Sequence, residues 1–212
     1  MPEWSNGTRS RRVGLVPAEV QILFPASFNN LISIYCVHYQ FIFIIKNLLI
    51  IMEQENLKTL EELKEIVKKA RSEGKIIVTT NGCYDIIHKG HVHILKEIAK
   101  LGDVFIVAVN SDESVRKFKG YPRPFNNEKD RAFVTGHIKG VDYVTIFNED
   151  NPLGVLRELK PDIHAKGGAG ICGRIKEEKE LVESYGGKMV LLELVDGYSS
   201  TDLVEKIKKS EG

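Results

Sequence analysis

Beyond residue 75 the sequence predicts one α/β domain with a parallel, doubly wound sheet of about five strands. Two observations carry this. Short apolar runs such as Val104–Val109 show no polar alternation, as strands buried on both faces require. Stretches of helical periodicity separate those runs, so each strand is followed by a crossover helix. A third observation bears on the site. The loop after the first apolar run is dense in Gly, His and Asp, and such sheets bind ligands beyond the carboxyl ends of their strands.

The elements follow in order. Asn56–Arg71 reads as an amphipathic helix, with Leu57, Leu60, Leu63, Ile66, Val67 and Ala70 at three- and four-residue spacing and Gly74 as its stop. Ile76–Thr79 is the first strand. Val92–Leu101 is a helix closed by Gly102, and Val104–Val109 a strand. Glu113–Phe118 and Glu128–His137 are helices, and Tyr143–Ile146 a strand. Leu153–Leu159 is a helix ended by Pro161, and Ile163–Ala165 a weak strand. Lys176–Tyr185 is a helix, Met189–Leu194 a strand and Ser200–Lys208 the last helix.

Composition narrows the function classes. Of 212 residues 28% are charged and 42% hydrophobic, which suits a folded domain. A net charge of +1 gives no basic field for nucleic acid. Cys36, Cys83 and Cys172 are odd in number and form no CxxC pair, which argues against a disulfide framework or thiolate zinc site and for a reducing cytoplasm.

Residues 1–51 differ from the rest. Leu31–Ile51 is long enough for a membrane helix, but His38, Gln40, Lys46 and Asn47 interrupt it and Tyr, Phe and Ile favour strand. Residues 28–51 carry the amino acids of AT-rich codons. The segment before them resembles a transfer-RNA gene read as protein: Val20-Gln21-Ile22 can be written GTT CAA ATC, like a T-loop. The expectation is a misplaced start, with residues 1–51 not native, an amphipathic helix over 52–74, the functional domain over 75–212 and no membrane partner.

Three loops carry chemistry. Thr79–His91 holds Asn81, Gly82, Cys83, Asp85 and the run His88-Lys89-Gly90-His91. Gly82 permits close backbone approach to a ligand. A helix starting near Gly90 presents free N–H groups to phosphate, and two imidazoles there can donate to oxygens on which charge develops. Lys117 and Lys119 can serve phosphate as mobile point charges or simply sit on a solvated helix face. Gly197-Tyr198-Ser199-Ser200-Thr201 opens the last helix with hydroxyls and amides, a second phosphate site or a plain N-cap.

The loop Thr80–His91, with its HKGH, resembles the HxGH motif of the cytidylyltransferase-like nucleotidyltransferases. The resemblance runs from about Lys75 to Ile207. Ala108–Asp112 with Lys117–Pro124, Lys166-Gly167-Gly168 and Gly197–Thr201 are similar to that family's later elements, in the same order. Among members it is strongest to the adenylyltransferases for D-glycero-β-D-manno-heptose 1-phosphate. It implies ATP as substrate, a sugar or polyol phosphate as acceptor, and Mg²⁺ held mainly by ATP phosphates with no assigned protein ligand. It implies His88, His91 and Lys119 (or Lys117) as catalytic groups. It implies nucleotide binding by Asn81, Gly82, Cys83, Gly90, Lys166, Gly167, Gly168, Tyr198, Ser199, Ser200 and Thr201. Asp85, Asn110, Asp112 and Arg131 would lie toward the acceptor, although Asp85 can equally orient its loop and Arg131 can equally form a helix-surface ion pair. A homo-oligomer stays open.

Two departures bear on substrate. Ala169–Gly173 follows Lys166-Gly167-Gly168 where the heptose enzymes usually carry an Asp and an aromatic, and Leu194 stands where glycerol-3-phosphate cytidylyltransferases carry an Arg. The second favours ATP over CTP. The alternatives are a cytidylyltransferase for glycerol phosphate or a similar polyol phosphate, an FAD-forming adenylyltransferase, and a membrane-anchored nucleotide-binding module without turnover.

Overall fold

The computed structural model describes residues 56–168 and 173–210. The expectations for residues 1–51, including the apolar run 31–51, and for the stretch 169–172 lie outside the described residues.

Strands β1 (Ile77–Gly82), β2 (Val104–Asn110), β3 (Tyr143–Phe147), β4 (Ile163–Gly167) and β5 (Lys188–Leu192) form one sheet in the order β3-β2-β1-β4-β5. Every pairing is parallel. The helices are α1 (Leu60–Ser72), α2 (Lys89–Ile98), α3 (Asp112–Lys119), α4 (Glu128–Gly136), α5 (Leu153–Leu159), α6 (Gly173–Ser184) and α7 (Ser200–Ser210). The doubly wound α/β prediction therefore holds, strand for strand.

The central strand shows why its sequence is apolar throughout. All seven residues of β2 are buried. Phe105, Val107 and Val109 pack with Leu95 and Ile98 of α2 and Ala132 of α4 on one face. Val104, Ile106 and Ala108 pack with Leu63 and Val67 of α1 and Val155 and Leu159 of α5 on the other. Alternate side chains of one strand thus feed two cores.

Several boundaries move, each for a hydrogen-bonding reason. The first helix begins at Leu60 rather than Asn56. Thr59 caps it: the Glu62 N–H donates to Thr59 Oγ1 at 3.3 Å, and the Thr59 N–H donates to Glu62 Oε2 at 2.8 Å. Residues 56–58 pair instead with Val144, whose N–H donates to the Asn56 carbonyl at 2.7 Å. β1 runs on to Gly82 because β2 pairs with it that far, and β4 runs on to Gly167 because β5 does the same. The helix expected from Val92 already starts at Lys89, so His88 occupies its N-cap position.

The strand order fixes where a ligand fits. β1 is followed in sequence by β2 on one side and flanked by β4 on the other. Their following loops part, leaving a crevice at the carboxyl ends of β1 and β4, as in Rossmann-like sheets. Among the described residues no helix is long and apolar enough to cross a membrane.

Candidate active site

A cavity of about 370 Å³ opens at that crevice. The end of β1 supplies Asn81 and Gly82, the start of α2 supplies His88, Gly90 and His91, β4 supplies Lys166 and Gly167, and the approach to α7 supplies Tyr198, Ser199 and Ser200. Residues from positions 80 to 200 thereby meet in one place.

His88 and His91 face each other with ring centroids 4.0 Å apart. Burial pulls both imidazoles below their ordinary value; for His91, burial with the nearby His88 and Lys119 charges brings it down to about 4. Both are neutral near pH 7. The His88 backbone N–H donates to His91 Nδ1 at 3.4 Å. That nitrogen is an acceptor, so the His91 ring proton sits on Nε2, a donor. His88 Nδ1 is buried and makes no hydrogen bond. An unsatisfied buried nitrogen is costly unless something fills the site.

Gly90 shows how tight this corner is. A Cβ there would lie 2.9 Å from Tyr198 Cβ and 3.1 Å from His88 Cε1. The Tyr198 ring stacks over His88 at 6.2 Å, and Lys89 Nζ lies 5.4 Å from the same ring centroid. Ser200 Oγ donates to the Ile86 carbonyl at 3.2 Å, tying the start of α7 to the first loop. Ser199 Oγ accepts from the Asp202 N–H at 3.3 Å, a cap within α7. Thr201 is exposed and does not line the cavity. Gly168 follows the cavity wall with φ +143, where a side chain would be strained.

The second loop resolves the two lysines. Lys117 pairs with Glu113 at 3.1 Å, which holds its ammonium above its usual range. Lys119 is exposed and lies off the cavity wall, its Nζ 5.7 Å from the Phe118 ring centroid, and its charge lowers the pKa of both His91 and Cys83. Burial pushes the Cys83 thiol up despite Lys119, Arg131 and Arg123 nearby. It is a packed thiol, not a thiolate.

Four residues expected toward the acceptor lie behind the cavity and not on its wall. Asp85 is buried; its carboxylate accepts from the Phe125 N–H at 2.8 Å and the Asn126 N–H at 2.9 Å and pairs with Arg123 Nε at 2.5 Å. It orients the loop, one of the two roles open to it from sequence. Arg131 is 1% exposed, so the helix-surface ion pair is excluded. It donates to the Asn126 carbonyl at 3.0 Å, the Cys83 carbonyl at 2.5 Å and Asp112 at 2.8 Å. Asn110 is buried and donates to Ser114 Oγ at 3.0 Å. These side chains hold the first and second loops together. A wider polar groove beyond them, of about 630 Å³, has Asp112, Arg116 and Glu128 on its walls.

Sequence reasoning missed Arg123, His164 and Glu178. Arg123 lay within a loop already singled out. A lone His in an apolar strand was the one available signal for His164. Glu178 stood in a run of charges, Lys176–Glu180, with nothing to separate it from a solvated helix face.

A family model described as cytidylyltransferase-like matches residues 79–206. The chain belongs to that family, and by class it is a nucleotidyltransferase. Among curated proteins it is 43% identical over 147 residues to the bifunctional protein HldE of Syntrophotalea carbinolica, covering 69% of this chain and 30% of that protein. It is 44% identical over 152 residues to the protein of the same name from Geotalea uraniireducens, covering 72% and 31%. The chain thus spans about a third of the length of these relatives. Among solved structures it is similar to a lipopolysaccharide core biosynthesis protein from Thermoplasma volcanium, at 31% identity and a TM-score of 0.51, covering 58% of this chain and all of that one. A pantoate-beta-alanine ligase from Francisella tularensis shares the fold at 14% identity and a TM-score of 0.52, over 74% of this chain and 78% of that one.

Proposed function

We propose that this chain transfers AMP from ATP to a sugar 1-phosphate resembling heptose 1-phosphate, releasing pyrophosphate and forming an ADP-sugar. The observation that carries the reading is the His88–His91 pair, neutral and 4.0 Å apart, at the start of α2 and at the mouth of the β1/β4 crevice. A phosphate oxygen of the acceptor attacks the α-phosphorus, and the bond from that phosphorus to the bridging oxygen of the β-phosphate breaks. No protein nucleophile takes part, so the work is positioning and charge stabilisation. His91 Nε2–H and a His88 ring N–H donate to α-phosphate oxygens, and the amides of the first turn of α2 add their dipoles. Lys119 offsets charge on the same group. The first turn of α7, entered through Ser199 and Ser200, takes the β- and γ-phosphates.

Among the described residues no three His, Cys, Asp or Glu side chains converge on a metal position. A Mg²⁺ would arrive on the nucleotide and offset triphosphate charge. Leu194 on the cavity wall, where an Arg would mark a cytidylyltransferase, supports ATP. The lipopolysaccharide core role of the T. volcanium protein supports a carbohydrate acceptor. The reading places the protein in the cytoplasm, where ATP is available.

The test is pyrophosphate release with ATP and CTP against heptose 1-phosphate, other sugar 1-phosphates, glycerol 3-phosphate and FMN. Turnover is expected with ATP and a sugar 1-phosphate. CTP turnover equal to or above ATP at matched Mg²⁺ reverses the nucleotide assignment.

A further inference from the structure

Behind the cavity a chain of buried polar groups crosses from β1 to β4 to α6. Thr79 Oγ1 lies 2.8 Å from His164 Nδ1, and His164 Nε2 lies 3.2 Å from Glu178 Oε2. The same Glu178 oxygen lies 3.1 Å from Lys166 Nζ, and Lys166 Nζ in turn donates to Asn81 Oδ1. His164 is 1% and Glu178 2% exposed. Burial holds the His164 imidazole below its usual range, so it is neutral. Burial opposes ionisation of Glu178, but His164 and Lys166 outweigh it and hold the carboxyl below its usual range. An ionised carboxylate only accepts, so His164 carries its proton on Nε2 and Thr79 donates its hydroxyl proton to Nδ1. The directions of all these bonds are then fixed.

We propose that Glu178, backed by His164, is a positioning residue for nucleotide recognition. It holds the Lys166 ammonium against the Asn81 carbonyl oxygen, so that Asn81 can offer only its amino group to the cavity. Asn81 and Lys166 both line that cavity. Free in solution, an asparagine amide turns either its oxygen or its nitrogen to a ligand. With Oδ1 engaged by a lysine the amide cannot flip, and a preorganised donor pays less to bind than a mobile one. Glu178 also offsets the Lys166 charge, which makes this lysine a clamp on the amide more than a point charge for phosphate. The ligand that fits is a nucleoside triphosphate presenting an acceptor atom of its base or ribose to Asn81 Nδ2.

This rests on the proposed function only in taking the cavity as the nucleotide site, and the test therefore reads binding and not turnover. Isothermal titration with ATP and with CTP is run on the wild-type chain, Asn81→Ala, Glu178→Ala, Glu178→Gln and the Asn81→Ala/Glu178→Ala double variant. Asn81→Ala and Glu178→Ala are each expected to weaken the preferred nucleotide about tenfold, the worth of one hydrogen bond of ordinary strength. Glu178→Gln keeps an oxygen for Lys166 and should stay within about threefold of wild type, since the hydrogen bond and not the charge sets the amide. The double variant should be no more than about threefold weaker than either single one, because groups acting through one contact are not additive. A double variant weakened about a hundredfold, the additive result, overturns the proposal. So does an unchanged affinity in Glu178→Ala. If Glu178→Ala does not fold, Glu178→Leu/Lys166→Met replaces the pair with apolar groups, a change that buried ion pairs often tolerate. In that background Asn81→Ala should have no further effect, and a tenfold effect there overturns the proposal. A wild-type chain that binds ATP but releases no pyrophosphate with any acceptor sinks the proposed function and leaves this inference standing. One that binds neither nucleotide sinks the inference.

Discussion

Replacing His91 by alanine removes one of the two imidazole donors at the head of α2, and the expected loss follows from what that donor does. His91 is neutral, its Nδ1 is occupied by the His88 amide, and Nε2–H is what it has to offer. A fixed donor aimed at charge that develops in the transition state is worth about 2.7–4 kcal/mol, which at about 1.4 kcal/mol per decade is roughly 10²–10³-fold. Charge on the α-phosphate grows toward the transition state, so the loss should fall more on kcat than on ATP affinity, on the order of 10²–10³ in turnover. His88→Ala should lose a similar factor. With rings 4.0 Å apart the two act on one phosphate, so the double variant should fall short of the product of the singles. His93 lies one turn along the exposed side of α2, outside the cavity, and His93→Ala should behave as wild type. Steady-state pyrophosphate release on all four variants, with melting temperature as the folding check, decides it. Full activity in His88→Ala and His91→Ala, or equal loss in His93→Ala, refutes the assignment of this loop to the α-phosphate.

Four further outcomes are expected. Gly90→Ala places a Cβ 2.9 Å from Tyr198 Cβ, an overpacking of about 1–3 kcal/mol that should cut kcat/KM at least about tenfold. Lys119→Ala should cost turnover on the order of tenfold or more, whereas Lys117→Ala, which breaks exposed pairs with Glu113 and Asp150, should stay within about twofold in the same kinetics. Arg131→Met, at a buried position, leaves the partly buried Asp112 carboxylate and two carbonyls without their donor. Breaking such a contact costs about 3–5 kcal/mol, so the melting temperature should fall by on the order of 10 °C. Finally, the folded chain holds His91 neutral down to about pH 4, whereas in the unfolded chain it takes a proton near its ordinary 6.5. The unfolded state therefore binds more protons in that window, and stability present above pH 6.5 is lost as pH falls toward 4. His91→Ala should flatten that limb of a melting-temperature profile, and an unchanged slope would refute the neutral-His91 reading.

The order of elements, the parallel sheet and the loop that enters the β1/β4 crevice were all legible in the chain. Each depends on residues close in sequence: unbroken apolar runs such as Val104–Val109, helical spacing, and His88-Lys89-Gly90-His91 directly after a strand. Element ends were less legible, because they depend on where backbone groups find partners. Asn56 and Leu57 fit a helical pattern, yet Asn56 and Lys58, on either side of Leu57, bond to Val144, about ninety residues away, and Thr59 caps the helix behind them.

Fold class, family and the residues that gather at the crevice could thus be read from the chain, since these rest on local periodicity and on one short motif. Which charges are spent and which remain depends on the packing of the folded chain. Lys119 rather than Lys117 bears on the charge state of His91, while an acidic neighbour one helical turn back engages Lys117. Arg131 is an interior brace and not a surface ion pair, because the loops of Cys83 and Asn126 close over it. Asn81, His164, Lys166 and Glu178 become one chain of contacts only when β1 and β4 lie side by side and α6 packs behind them. Hydrogen bonding and charge compensation act through space over a few ångströms, and a residue's neighbours at that range come from the order of the strands, which no local pattern of amino acids contains.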